Sequence, residues 1–105
     1  MIKLFNIEIE IYVDNQAGSP YLRETDNVVA TAENRHNAAD EAFCIVHNRQ
    51  CFKYGNKSAV KEIIWSDNHT TAKVAFRKVE SMIHSYTTHM IYKFKITQII
   101  NKDGV

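Results

Sequence analysis

The stretch FCIVHNRQCF, Phe43 to Phe52, holds both cysteines of the chain and one of its five histidines. If it is helical, an advance of about 100° per residue puts His36, Asp40, Cys44, His47 and Cys51 in one sector. Thiolate and imidazole are soft donors, so the ion they would favour is zinc or copper(I). A single helix cannot close a tetrahedral site, because its side chains diverge. Zinc sites normally join two ligand pairs from separate segments. Here one C-x₂-H is present, and His84 and His89 straddle the end of a segment rather than forming a second pair. Cys44, His47 and Cys51 are therefore the candidate metal ligands, but neither metal nor cofactor is expected. The competing expectation is packing, with small half-buried thiols and His47 toward the solvent edge. A disulfide is excluded, because seven helical residues separate the two Cα atoms by roughly 10 Å.

Catalytic constellations are sparse. Cys44 and His47 can approach at helical spacing, but a reactive thiolate needs a helix N-terminus or an electropositive pocket. Cys44 lies mid-segment behind Asp40 and Glu41. Acid–base chemistry of the metal-free ribonuclease kind needs two histidines and a cation for the phosphate. His84 and His89 with Arg77 and Tyr86 supply those types without a diagnostic spacing. Ser66, Asp67 and His69 read as turn residues. No phosphate-binding glycine loop and no nucleophile elbow occurs, and three glycines could hardly build one. The expectation is a protein that is not an enzyme.

Binding is the alternative to catalysis. Net charge is +1, yet residues 1–52 carry four basic against eight acidic residues and residues 53–105 carry nine against four. Lys73, Arg77, Lys78, Lys93 and Lys95 are the candidate nucleic-acid contacts, since basic side chains supply phosphate affinity. Tyr92 and Phe94 interleave with the last two, but alternation puts them on the opposite, apolar face. For a protein partner, the candidates are Tyr12, Tyr21, Leu22 and Arg23, residue types enriched at interfaces. Outer strands can also pair with another chain, which would give a homodimer or an added strand.

The elements that position these residues follow from periodicity. Ile2 to Val13 alternates Phe5, Ile7, Ile9, Ile11 and Val13 with polar neighbours and predicts a strand. Residues 14–26 are polar, contain Gly18 and Pro20, and read as a long loop. Asn27 to Ala32 predicts a second strand. Asn34 is a good N-cap for a helix whose apolar side is Ala39, Ala42, Phe43 and Val46, with Gly55 as its stop. Val60 to Trp65 carries apolar residues on both faces, which predicts an interior strand. Residues 70–86 match a helix at seven positions, from Ala72 to Tyr86, and a strand at three. His89 to Ile100 predicts the last strand.

The expected fold is an α+β two-layer sandwich in the order β-β-α-β-α-β. A mostly antiparallel four-stranded sheet packs two helices on one face. In architecture it resembles the ferredoxin-like arrangement, though the element order departs from it. If the first and last strands are antiparallel neighbours, Glu8 meets Lys95 and Glu10 meets Lys93. That pairing would explain the split of charge between the halves.

The 105 residues suit one domain. Apolar residues are 45% and charged residues 24%, which excludes disordered and collagen-like classes. Glu8 and Glu10 interrupt any leader-like apolar run, and no stretch is long enough to span a membrane. Two unbridgeable cysteines fit a reducing cytoplasm. The composition resembles that of accessory proteins of phages and mobile elements. The expected function is therefore a small inhibitor or adaptor that binds a larger host protein. A nucleic-acid-binding domain comes second and a histidine enzyme third.

Overall fold

In a computed structural model of the chain, the residues described are 2–14, 19–54, 62–80 and 85–99. They form five strands and one helix: β1 (Lys3–Asp14), β2 (Tyr21–Ala32), α1 (Arg35–Lys53), β3 (Ile63–Trp65), β4 (Thr71–Glu80) and β5 (Ser85–Gln98). The sheet runs β2-β1-β5-β4-β3, with every neighbouring pair antiparallel. The expectation of four strands and two helices is thus overturned. The α+β character stands, but the sheet has five strands and a single helix among the described residues.

The second helix fails for a specific reason. Residues 71–80 are β4, paired to β5 from Thr71↔Lys93 to Glu80↔Ser85. Ala72 and Val74 are buried opposite Tyr92 and Met90, as period two requires. The register then shifts between Ala75 and Arg77. A bulge adds one residue and changes the phase of alternation, so a strand read in one phase appears to stop at the bulge. Over the same stretch, apolar residues on either side of the phase change fell by chance on a helical template.

The interior strand β1 agrees with its sequence pattern. Phe5, Ile7, Ile9, Ile11 and Val13 are all buried on one face. The opposite face carries Asn6, Glu8, Glu10 and Tyr12. The β1–β5 register sets Glu8 against Lys95 and Glu10 against Lys93, as the alternation predicted. Glu8 and Lys95 lie 3.9 Å apart and both are well exposed. Such a pair contributes about 0.2–1 kcal/mol, and its larger effect is on register, since a one-residue slip would bury both charges.

Two further expectations are corrected. The 14–26 loop is mostly strand, because β2 begins at Tyr21. Its polar residues do not solvate a loop. Glu24 and Asp26 lie opposite Ile11 and Ile9 on the helix-covered face, where Lys53 and Arg49 meet them at 3.0 and 2.9 Å. The expected interior strand at 60–65 is instead the short edge strand β3, and Ile64 is 59% exposed. Val60 and Lys61 lie outside the described residues, as do Gly18, Gly55 and Ile100.

Helix α1 forms where its cap predicts. The Asn34 side chain accepts from the Asn37 N–H at 2.9 Å, satisfying one of the orphan donors of the first turn. It buries Ala38, Ala39, Ala42, Phe43, Val46, His47 and Gln50 against the sheet. The three alanines are fully buried and allow the helix backbone to lie close to the strands. The core is one cluster in which Phe43 meets Tyr92 and Trp65 edge-on, with ring centroids 5.4 and 5.9 Å apart.

Candidate functional site

The stripe of ligand-type residues on α1 divides into two groups that face different ways. His47 is not at the solvent edge, as its sequence context suggested; it is 3% exposed. Its Nδ1 lies 2.7 Å from the Tyr92 hydroxyl, and its Nε2 lies 3.6 Å from Cys51 Sγ. The ring stacks on Phe43 at 5.2 Å. This is a thiol–imidazole–phenol chain inside the core, with polar atoms satisfying one another. Burial lowers the His47 pKa and raises those of Cys51 and Tyr92. All three groups are therefore held neutral, the reverse of what a reactive thiolate–imidazolium pair requires. Cys44 is exposed and apart from them. Among the described residues, no group of three or more His, Cys, Asp or Glu side chains is arranged to hold a metal ion. Of the Cys44, His47 and Cys51 set, the structure brings His47 and Cys51 together and leaves Cys44 exposed.

The buried imidazole has a measurable consequence. His47 is depressed from its ordinary value of 6.5, so the unfolded chain binds a proton there that the folded chain refuses. Its contribution to stability is complete above about pH 6.5 and is lost as pH falls through the depressed folded value. Thermal denaturation from pH 7.5 to 5 should show Tm falling on the acid side. A His47→Gln variant, less stable at neutral pH, should show a shallower fall over the same interval. Parallel curves for the two proteins would remove His47 as the cause.

The second group was missed in the sequence. His36 and Asp40 meet His69, which stands on the turn between β3 and β4. Asp40 Oδ1 lies 2.7 Å from His69 Nε2. The His69 ring stacks on Trp65 at 3.7 Å and on His36 at 4.7 Å. Its φ of 58° is left-handed, a conformation where glycine or asparagine is ordinary. The side chain offsets that cost by pinning the turn to the helix. Arg35, His36, Asn68, His69, Thr70 and Ile96 line a small cavity of about 210 Å³ beside it. The stacked His36 and His69 rings lie in nearly parallel, offset planes, so their nitrogen lone pairs do not point to one ion. Turn chemistry was the sequence expectation for His69, and the only added signal there was a histidine after Asp-Asn.

The ribonuclease-like set is not assembled among the described residues. His84 lies outside them, and His89 is on β5 opposite Asp14 and Ala75. The backbone of Tyr86 pairs with Val79. The basic candidates are redistributed by loss of the second helix. Lys73, Arg77 and Lys78 are on β4, the last two opposite Thr88 and Thr87. Lys73, Lys93 and Lys95 share the outer sheet face, while Tyr92 and Phe94 are buried beneath it, as alternation predicted.

Among the described residues, α1 packs on one face of the sheet and no helix covers the other, outer face. A shallow groove of about 800 Å³ crosses β2, β1 and β5 there, lined by Glu8, Glu10, Thr25, Asn27, Lys93 and Lys95. Lys93 sits over the Tyr12 ring, 4.6 Å from its centroid, and the Tyr12 hydroxyl is 3.4 Å from Glu10. Leu22, opposite Tyr12, is 48% exposed. The four partner-binding candidates therefore separate. Tyr12 and Leu22 adjoin on the outer face. Tyr21, 50% exposed, lies opposite Val13 on the other face. Arg23 is the extra residue of a bulge opposite Ile11 and Tyr12; its guanidinium lies over Tyr54 at 4.0 Å and reaches Met90 Sδ at 3.9 Å. It is a packing residue at the end of α1.

No protein-family model matches the chain, and neither does any curated protein or solved structure. No helix among the described residues is long and apolar enough to cross a membrane.

Proposed function

We propose that the chain is a non-catalytic protein-binding module, an inhibitor or adaptor that docks a larger protein on the outer sheet face. One observation carries this reading: the β1–β5 register sets acids against lysines along the groove, with half-buried Tyr12 and exposed Leu22 side by side at one end. Along the groove the acids offset Lys93 and Lys95, and a nucleic-acid backbone would meet Glu8 and Glu10 together with those lysines. A protein surface of mixed charge with an apolar contact suits the same groove, because both signs find partners and Tyr12 with Leu22 supplies the apolar contact. The two free cysteines fit a reducing compartment.

The test is position-dependent cross-linking. A photoreactive residue at Leu22 should give one discrete protein adduct in an extract of the source cells. The same residue at Asn48, exposed on the helix, should give none. A Tyr12→Lys substitution in the Leu22 probe should abolish the adduct without changing Tm by more than a few degrees. Equal labelling from both positions, or co-purification of salt-sensitive nucleic acid in place of protein, would reject the reading.

A further inference from the structure

We infer that the β2 edge is a self-pairing surface, on which a second copy of this chain adds its own β2 to give one continuous ten-stranded sheet. The inference is independent of the proposed outer-face partner.

An edge strand exposes unpaired backbone groups, and proteins usually guard such edges with short length, outward charge or proline. Among the described residues, the sheet has two edges, and they differ. β3 has three residues and is blunted by its length. β2 has twelve and contains no proline or lysine. Its charges are turned away from guarding duty: Glu24 is held by Lys53, Gln50 and Tyr54, Asp26 by Arg49, and Arg23 by the Tyr54 ring. The Asn27 N–H is capped by the Asp26 carboxylate at 2.8 Å, so the open edge runs from Val28 to Ala32.

The chemistry of that edge selects a copy of itself. A two-fold axis normal to the sheet relates two β2 strands as antiparallel neighbours, the geometry of every other pair here. Such a contact sets each residue against itself or against a residue equally far on the other side of the axis. A charge near the axis would then face a like charge, which is destabilising. Asn27 to Ala32, NVVATA, contains none. With the axis at Val29, the centre of the joint sets Val29 against Val29 and Val28 against Ala30. Val29 is 56% exposed, although β-branched and apolar. Beneath it Val28, Ala30 and Ala32 are already buried, so the joint extends an existing core. At the end of α1, Arg49 and Lys53 reach this edge already neutralised by Asp26 and Glu24. A foreign strand would impose no requirement for a charge-free centre.

Light scattering of the purified full chain over a concentration series should show a monomer–dimer equilibrium. Val29→Lys should shift it to monomer, with circular dichroism and Tm otherwise preserved. Should that variant fail to fold, Thr31→Lys, at another exposed site on the same edge, serves instead. Mixing Val29→Lys with Val29→Glu should restore a dimer containing one of each chain. A monomer at every concentration, or a dimer indifferent to both lysines, overturns the inference. The Leu22 photo-adduct with a foreign protein, read in the Val29→Lys background, separates the two claims: its persistence leaves the outer-face partner in place whatever the oligomeric state.

Discussion

Replacing Phe43 by alanine should destabilise the protein by about 3–5 kcal/mol, the range for deleting a buried aromatic ring. Phe43 is 3% exposed and is the ring on which the core converges. It stacks on His47, meets Tyr92 edge-on and reaches Trp65 from the helix side. Its loss opens a cavity between α1 and the sheet. It also removes the ring that holds the His47 imidazole against the Tyr92 hydroxyl. A chain of this length has a total stability of roughly 5–15 kcal/mol, so the variant would be close to unfolding at 37 °C. Urea denaturation of the two proteins measures the difference. A loss under about 1 kcal/mol would show that the helix does not pack on the sheet through this residue.

Ile9→Ala should cost about 2–5 kcal/mol, whereas Ile64→Ala should stay within about 0.5 kcal/mol. The residues have the same chemistry and differ in position. Ile9 is 1% exposed on the interior strand β1, flanked by Phe94 of β5 and by the Asp26 position of β2. Ile64 is on the three-residue edge strand and is 59% exposed. The hydrophobic contribution follows area removed from water, so identical side chains should differ several-fold. Denaturant midpoints at equal m-value give both numbers. Equal costs at the two sites would return β3 to the interior position that its apolar sequence suggested.

How much of the fold could be read directly is clearest along β1 and α1. The five apolar residues of β1 announce their face, because a strand has period two and one side must be buried. The Asn34 cap and the alanine–phenylalanine–valine side of α1 announce the helix for equally local reasons. The cross-strand partners Glu8 with Lys95 and Glu10 with Lys93 were legible because opposite charges reveal register once the strands are neighbours. β4 was illegible in the same terms. A bulge changes the phase of alternation, and nothing local distinguishes that change from the onset of a helical period. β2 was half-legible, because Arg23, Glu24 and Asp26 are polar. Only the helix end that lies over them explains why polar residues face inward.

The candidate site divides along the same line. The chain by itself determined which residues carry reactive types and excluded a disulfide, since helical rise fixes the distance between Cys44 and Cys51. It also determined that Tyr92 and Phe94 turn away from Lys93 and Lys95, since alternation is local. Tertiary structure alone decided that His47 is buried against a phenol 45 residues away. It decided that Asp40 meets a histidine on a distant turn, and that β2 and β3 are the edges. Those outcomes depend on which elements become neighbours. Neighbourhood is set by packing the sheet under α1, and no window of sequence contains that information.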